Sequence, residues 1–375
     1  MAQVNEIYQQ TLKHLLAPVE PFLEDDSVSE VMINGWNDIY IERAGKLEHV
    51  DARFEDEAAL FAAMRNVAQY VGKRLVPENP SIEARLPDGS RVHIIQPPAA
   101  RQGMSVAIRK FSKNRLDLPA LVEKNSLSEE AAEFLGICMM LAKNIIVSGG
   151  TGSGKTTLLN CLSTMIPETE RILVLEDSSE LQLQQDHVLS FEVQAPDRQG
   201  RGGISIRDLF RASLRMRPDR ILVGECRGAE ALDMIQAMTS GHSGSLSTLH
   251  ANTPRDSLGR LETMALMANV GLPLFALRSQ VASAVELIVQ IARFHDGSRR
   301  ITYISEVLGL SDDGDYRVQD LYRFRASSQS SALQVTGALE WTGIQPSFKT
   351  APFFGGLSDR ISLTRPLWAE QEVSP

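Results

Sequence analysis

Residues 144–159 read Asn-Ile-Ile-Val-Ser-Gly-Gly-Thr-Gly-Ser-Gly-Lys-Thr-Thr-Leu-Leu, and this stretch decides the fold. The continuous apolar run that ends at Ser148 predicts a buried strand, and the apolar residues after Thr157 predict a helix. Between them, residues 149–156 match the pattern GxxxxGK[ST] at every fixed position. A strand, a glycine-rich turn and a helix in this order are typical of a P-loop, which binds phosphate groups. We therefore predict an α/β domain that binds a nucleotide.

The residue types of the P-loop indicate how it would hold that nucleotide. Glycines let the backbone N–H groups curl around phosphate oxygens, and the positive end of the following helix adds to the attraction. The Lys155 ammonium is expected to reach the terminal phosphates, and the Thr156 hydroxyl to coordinate Mg²⁺. The predicted nucleotide-binding residues of this loop are Gly150, Thr151, Gly152, Ser153, Gly154, Lys155, Thr156 and Thr157. The expected ligands are ATP or GTP together with Mg²⁺.

Two more segments predict strands of the same sheet. Residues 172–175 and 221–223 are continuous apolar runs, without the alternation that is typical of a strand with one wet face. Helical stretches fall between these runs. This order predicts a mostly parallel sheet with helices on both faces.

Carboxylates follow two of the predicted strands directly. Glu176 and Asp177 come after the first run, and Glu225 comes after the second. In an open parallel sheet, the carboxyl ends of the strands face the ligand. Glu176 and Glu225 are therefore candidate catalytic residues that orient or deprotonate an attacking water, and Asp177 is a candidate Mg²⁺ ligand through water. The alternative for either glutamate is that it caps the next helix.

Two histidines bracket the next apolar run. His250 ends the run 246–249, and His242 precedes it. A histidine at the edge of the P-loop can hydrogen-bond the terminal phosphate or a carboxylate, so we predict His250 as catalytic and His242 as nucleotide-binding. The alternative for each is a structural side chain. Zinc is not expected, because no set of cysteines or carboxylates completes a ligand shell.

The rest of the chain predicts a second, smaller domain. We expect an N-terminal α+β domain over residues 1–112, a linker over 113–125, the P-loop domain over 126–325 and a tail over 326–375 whose packing is not predicted. A capping box at Ser126 and Glu129 would begin the first helix of the P-loop domain. The elements predicted for the first domain are a mixed sheet with strands at 31–35, 39–43, 92–95 and 106–108, and a helix at 57–71.

Composition narrows the class of protein. The chain of 375 residues carries a formal net charge of −9, the wrong sign for holding DNA through bulk charge. The 3 cysteines are too far apart for a metal site of CxxC spacing and are expected to be reduced core thiols. The first residues lack a secretory signal, and the longest apolar run is half of a membrane span. We expect a cytoplasmic protein that reaches a membrane only by docking.

Four ordered motifs carry a resemblance to a known family. They are EARLPDGSRVHIIQPP (83–98), ILVLEDSSELQLQ (172–184), RMRPDRILVGECRGAEALDMIQAM (215–238) and SGHSGSLSTLHANTPRDSLGRLETM (240–264). With the P-loop, they resemble the CpaF/TadA branch of the type II/type IV secretion ATPase superfamily, which is GspE-like. The corresponding features of that family are the Walker A loop, an aspartate box, a Walker B strand that ends here in Glu225, and a histidine box.

The resemblance implies more than the residues do alone. It implies a RecA-like ATPase domain behind a PAS-like N-terminal domain that closes over the nucleotide, and a hexameric ring that hydrolyses ATP at subunit interfaces. Arg91 and Arg109 match the N-terminal arginines that approach nucleotide in such proteins. The implied partners are inner-membrane platform proteins of a Flp/Tad-type pilus or a related secretion system, with the ring docked peripherally at that membrane.

Two other functions remain open at this point. The first is a DNA-translocating or conjugation-type secretion ATPase on the same core, which the acidic net charge and the lack of a dense Lys/Arg tract disfavour. The second is a scaffold that binds ATP without significant turnover, which the presence of Glu176, Glu225 and His250 disfavours.

Overall fold

The chain divides into two compact units, Met1–Arg115 and Leu116–Pro375. A computed structural model describes residues 2–43, 45–111, 116–196, 199–328, 330 and 334–369 of them. None of the helices in these ranges has the length and apolar character needed to cross a membrane.

The N-terminal unit is an α+β domain around one sheet. Its elements are α1 (Ala2–Leu15), α2 (Glu20–Glu24), β1 (Val28–Asn34), β2 (Ile39–Arg43), β3 (Lys46–Val50), α3 (Glu57–Tyr70), β4 (Ser81–Arg85), β5 (Arg91–Ile95) and β6 (Ser105–Arg109). The 6-stranded sheet has the order β3-β2-β1-β6-β5-β4, and each neighbouring pair is antiparallel. The prediction of a mixed sheet is therefore wrong. The strands β3 and β4 were missed because β3 is exposed along most of its length and β4 has only two buried residues, Ile82 and Ala84.

The second unit is built on a 9-stranded sheet. Its elements are α4 (Leu118–Glu123), α5 (Glu129–Met140), β7 (Ile145–Gly149), α6 (Lys155–Ser163), β8 (Ile172–Glu176), β9 (Val188–Glu192), α7 (Ile206–Ser213), β10 (Arg220–Val223), α8 (Glu230–Thr239), β11 (Leu246–Leu249), α9 (Pro254–Leu266), α10 (Leu274–Ala284), β12 (Leu287–Arg293), β13 (Arg299–Leu310), β14 (Tyr316–Ala326), β15 (Gly337–Trp341) and α11 (Ala351–Phe354). The strand order is β15-β14-β13-β12-β7-β11-β10-β8-β9.

The predicted parallel core of this sheet is confirmed. Strands β12, β7, β11, β10, β8 and β9 pair in parallel, and β13 to β15 extend the sheet antiparallel. Every residue of β7, β8, β10 and β11 is buried, as continuous apolar runs require when helices cover both faces. Helices α5 and α6 pack on one face, and α8, α9 and α10 pack on the other.

Helix α5 begins later than the sequence predicted. Ser128, not Ser126, is its N-cap, and the Ser128 hydroxyl accepts a hydrogen bond from the Ala131 amide. The Ser126 hydroxyl instead donates to the Arg299 carbonyl at 2.6 Å. The capping-box prediction is wrong because a tertiary hydrogen bond to β13 takes the Ser126 side chain.

Both ends of the second unit pack into its core. Helix α4 lies inside the segment 113–125 that was expected to be a linker, and it buries Leu118 and Leu121; residues 113–115 lie outside the described ranges. In the tail, β15 pairs with β14, and Trp368 stacks on Phe134 of α5 with ring centroids 5.5 Å apart. Glu133 accepts hydrogen bonds from the amides of residues 362–364.

A buried arginine makes one glycine of the second unit irreplaceable. Arg220 is 1% exposed, pairs with Glu170 and donates to the Met139 carbonyl at 3.0 Å. Gly244 has a φ of +78°, and a Cβ there would lie 1.8 Å from Arg220 Nη1.

We predict that Gly244→Ala lowers the free energy of unfolding by about 3 kcal/mol, since the clash adds to the cost of a left-handed backbone. Gly241→Ala is the control, because Gly241 has a φ of +100° but nothing within 4 Å of its Cβ position. The control should lose only about 1–2 kcal/mol. Urea unfolding of both variants measures the difference, and equal losses would contradict the role of Arg220.

Candidate active site

The P-loop connects β7 to α6 through two left-handed glycines. Gly152 has a φ of +69° and Gly154, the N-cap of α6, a φ of +97°. A Cβ at Gly149 would lie 2.3 Å from the Ile291 carbonyl oxygen on β12, so this position admits only glycine. The glycines of the loop and the close approach of β12 together fix the curled backbone that binds a phosphate.

Lys155 lies inside this loop. Its side chain is 7% exposed, and Nζ donates to the carbonyls of Gly149 at 3.2 Å and Gly150 at 3.0 Å. Nζ also lies 3.4 Å from each ring nitrogen of His250. Two of its partners are thus carbonyl oxygens, and an anionic phosphate oxygen is a stronger acceptor than these.

Glu225 and His250 meet beside Lys155. Glu225 Oε1 lies 2.9 Å from His250 Nε2, and Glu225 Oε2 pairs with Arg227 Nη2 at 2.5 Å. Burial raises the pKa of Glu225, but Arg227, His250 and Lys155 outweigh it and lower that pKa below its usual value. Burial and the Lys155 charge lower the pKa of His250. At neutral pH the site thus holds an ionised carboxylate and a neutral imidazole.

Glu176 is a buried carboxyl group at the end of β8. It is 3% exposed; Oε1 accepts hydrogen bonds from the amides of Glu180 and Leu181, and Oε2 is buried without a described partner. Gly224 follows the neighbouring strand β10, and a Cβ there would lie 2.8 Å from Glu176 Cγ. Glycine at this position therefore leaves room for the Glu176 side chain. Burial raises the pKa of Glu176 to about 7, against an ordinary value of 4.5.

This raised pKa predicts a pH-dependent stability. The folded chain binds the Glu176 proton more tightly than the unfolded chain, so the stabilisation is complete below about pH 4.5 and is lost as the pH rises through about 7. The loss amounts to about 3 kcal/mol between pH 5 and pH 8. The Glu176→Gln variant cannot titrate at this position and should not show this loss of stability. The midpoint of thermal unfolding of the wild type should therefore fall relative to that of the variant as the pH rises from 5 to 8. Parallel pH profiles would refute the shifted pKa.

The described residues fit a Mg²⁺ ion held mainly by substrate. No group of three or more His, Cys, Asp or Glu within them could hold a metal by itself. Mg²⁺ in nucleotide sites takes one or two protein ligands plus phosphates and water. Thr156 lies in the first turn of α6, and Asp177 is an exposed carboxylate with Oδ2 3.6 Å from Arg227 Nη1. These two residues would supply hard oxygen donors of the kind that Mg²⁺ prefers.

The structure does not bring His242 to the P-loop. His242 precedes β11, and His250 follows it. Strands β11 and β7 are parallel, with Leu246 opposite Ile145 and Leu249 opposite Ser148. The start of β11 therefore lies at the amino-terminal ends of the parallel strands, whereas the P-loop lies at their carboxyl ends. The prediction that His242 binds the same nucleotide is not met within this unit.

Arg91 and Arg109 lie side by side in the N-terminal unit. They are register partners on β5 and β6, and Arg85 on β4 continues the row. The alternation of buried and outward residues places all three on the face of the sheet away from the core. The two arginines singled out by resemblance thus form, with Arg85, a basic row that ends beside Glu30 of β1.

Sequence reasoning missed two arginines of the site. Arg227 bonds Glu225, and Arg299 Nε donates to the Gly152 carbonyl at 2.9 Å. Arg227 could have been found, because it follows Glu225 by two residues at the same strand end. Arg299 starts β13, 147 positions from Gly152, and no local pattern indicates that contact.

The family follows from a match that covers most of the chain. The family model described as type II/IV secretion system protein matches residues 13–339. The chain belongs to this secretion protein family. The predicted membership of the secretion ATPase superfamily is thereby confirmed, and with it the prediction of a nucleotide-binding ATPase.

Several members of the family are similar over nearly their whole length. A Mycobacterium tuberculosis protein named for conjugal transfer is 32% identical over 332 residues, which cover 83% of this chain and 94% of that protein. The type IV secretion system protein VirB11 of Brucella suis is 32% identical over 320 residues, with 78% and 88% covered. The fold is similar to that of the Legionella pneumophila ATPase DotB, at a TM-score of 0.54, 18% identity and 82% of each chain covered.

Proposed function

We propose that this secretion ATPase is the ATP-hydrolysing motor of a Flp/Tad-type pilus or a related secretion machine. The observation that carries ATP hydrolysis is the meeting of Lys155, Glu225 and His250 at the carboxyl ends of the strands, with 2.9 Å between Glu225 Oε1 and His250 Nε2. The pilus or secretion role rests on the family match and on the resemblance of the sequence motifs. A cation for the terminal phosphate and an ionised carboxylate that positions the attacking water are groups that ATP hydrolysis uses.

The roles follow from the charges. The P-loop amides from Gly150 to Thr157 bind the phosphates, and the Lys155 ammonium leaves its carbonyl partners to stabilise the charge on the terminal one. Glu225 is ionised and accepts the proton of the attacking water. His250 Nε2–H donates to Glu225 and keeps the carboxylate oriented.

The remaining predicted site residues are assigned lesser roles. Glu176, with its pKa of about 7, is the second carboxylate near the water. Thr156 and Asp177 would hold Mg²⁺, which supplies neutralisation of phosphate charge when it is bound.

We propose a hexamer in which the N-terminal domain, predicted at 1–112, closes over the nucleotide held by the second unit, whose core includes α4 and the tail. Arg91 and Arg109, in their basic row, would then meet the phosphates. The ring would dock on inner-membrane platform proteins of the machine, with nucleic acid not expected as a partner.

Light scattering tests the ring. In the presence of Mg²⁺ and a non-hydrolysable ATP analogue, the full chain should give about six times its 41.3 kDa mass. Arg91→Ala with Arg109→Ala should keep that mass and lose ATP turnover. A strict monomer at all concentrations would overturn the proposal of a site shared between subunits.

One observation favours a second candidate function. A relative that is 32% identical is named for conjugal transfer, so a conjugation-type or DNA-translocating motor is the alternative. Double-stranded and single-stranded DNA should leave ATP turnover unchanged if the pilus assignment is right, because the net charge is −9. Salt-dependent stimulation by DNA would favour the alternative.

A further inference from the structure

A basic groove lies apart from the P-loop in the second unit, between the start of α9 and the hairpin β13–β14. We propose that this groove binds an acidic segment of a partner polypeptide. Its volume is about 520 Å³, within the range of binding pockets, and its polar lining includes Arg255, Tyr303, Arg317, Asp320 and Arg323. The proposal rests on the proposed function, since a motor must contact something that it moves.

The positive charges of the groove are only partly compensated. Among the described residues, Arg317 and Arg323 form no ion pair. Arg255 pairs with Asp315 at 3.5 Å, but both side chains are more than 60% exposed, so the pair is weak. Three guanidinium groups thus stand against two carboxylates, Asp315 and Asp320, which leaves a positive excess in a chain whose net charge is −9. Such a local excess of positive charge selects an acidic partner.

The floor of the groove suits a peptide better than a polyphosphate. The Arg323 guanidinium lies 5.4 Å from the Tyr303 ring centroid, which gives a flat, partly apolar surface. The Asp320 carboxylate, which accepts from the Ser305 hydroxyl at 2.7 Å, would repel a phosphate-dense chain. A peptide backbone can instead donate its N–H groups to Asp320 while its carboxylates pair with the arginines.

The groove is connected to the candidate active site through a few residues. Only residues 251–253 separate His250 from the first residue of α9. Gln290 Nε2 donates to the Ala251 carbonyl at 3.0 Å, and Gln290 is in register with Ser148 on β7 and with Tyr303 on β13. A shift of His250 on hydrolysis would therefore reach the groove wall within one turn of α9, which is where a partner would sense it.

Fluorescence anisotropy with a labelled octaglutamate peptide tests the proposal on the full chain without nucleotide. The double variant Arg317→Glu with Arg323→Glu should bind the peptide at least about tenfold more weakly than the wild type, since a lost charge pair at an interface costs that much or more. The control is Arg65→Glu with Arg360→Glu, two exposed arginines with the same change in net charge. It should bind within about twofold of the wild type, and labelled octaglutamine should not bind.

Each result either supports the groove or overturns it. Equal weakening in both double variants would show that the peptide binds through the overall charge of the protein, which overturns the proposal. An unchanged affinity in the groove variant would overturn it as well. A groove variant whose mass by light scattering is lower than that of the wild type would mark the surface as a contact between copies, which also overturns it. Wild type that binds the peptide through the groove but hydrolyses no ATP would refute the proposed function and leave the groove standing.

Discussion

Replacing Lys155 with alanine is expected to reduce ATP turnover to below about one hundredth of the wild-type rate. Removal of one preorganised group that stabilises transition-state charge costs about 10²–10³ in rate. Lys155 is 7% exposed within the loop, so its ammonium meets a phosphate with little competition from water. Release of inorganic phosphate from ATP and Mg²⁺ at saturating nucleotide measures the effect.

The control for this variant addresses folding. Lys155 Nζ also donates to the Gly149 and Gly150 carbonyls, so the alanine variant loses two hydrogen bonds. Thermal unfolding should show a folded chain, and Lys155→Arg should keep a folded loop with turnover still far below wild type, because a guanidinium does not fit the space of an ammonium. Half-normal turnover in a folded alanine variant would remove Lys155 from the mechanism.

Glu225→Gln is the second large effect that we expect. The variant should bind ATP with an affinity close to that of the wild type, while turnover falls by about 10²–10⁴, the usual contribution of a general base. Glutamine preserves the shape of the side chain and still accepts from His250 Nε2, but it cannot take a proton from water. Calorimetric binding of the non-hydrolysable analogue and single-turnover hydrolysis separate the two effects.

Glu192→Gln is the matched control for Glu225→Gln. Glu192 is an exposed carboxylate at the end of β9, in register with Glu176 at the same sheet edge. The control should keep turnover within about twofold, since an exposed charge is screened by solvent. If the two variants lose turnover equally, the loss is caused by the change in total negative charge near the site and not by the loss of proton transfer to Glu225.

The parallel core was predictable because its signals are local. The strand, turn and helix of the P-loop each have a residue pattern, and a run such as 172–175 is apolar throughout because helices cover both faces. The tail was not predictable. Trp368 packs on Phe134, and these residues are 234 positions apart in the chain. The Ser-rich segment before β15 contains no pattern that predicts this contact.

In the candidate site, too, some residues could be predicted from local signals in the sequence and others could not. Glu225 and His250 were expected near the P-loop because both follow apolar runs, and the parallel register brings such ends together. His242 was misplaced because β11 lies between the two histidines and puts them at opposite ends of that strand. The Arg299 contact comes from an antiparallel strand added after the parallel core, and residue spacing does not encode it.

The packing of the tail has a consequence for synthesis on the ribosome. Leu118, near the start of the second unit, and Trp368, near its end, belong to the same hydrophobic cluster. The N-terminal unit buries its own cluster between Leu12 and Ile108 and can fold while the chain is still being translated. The cluster that holds Leu118 stays incomplete until translation has passed Trp368, so the second unit is expected to complete its core later than the N-terminal unit does.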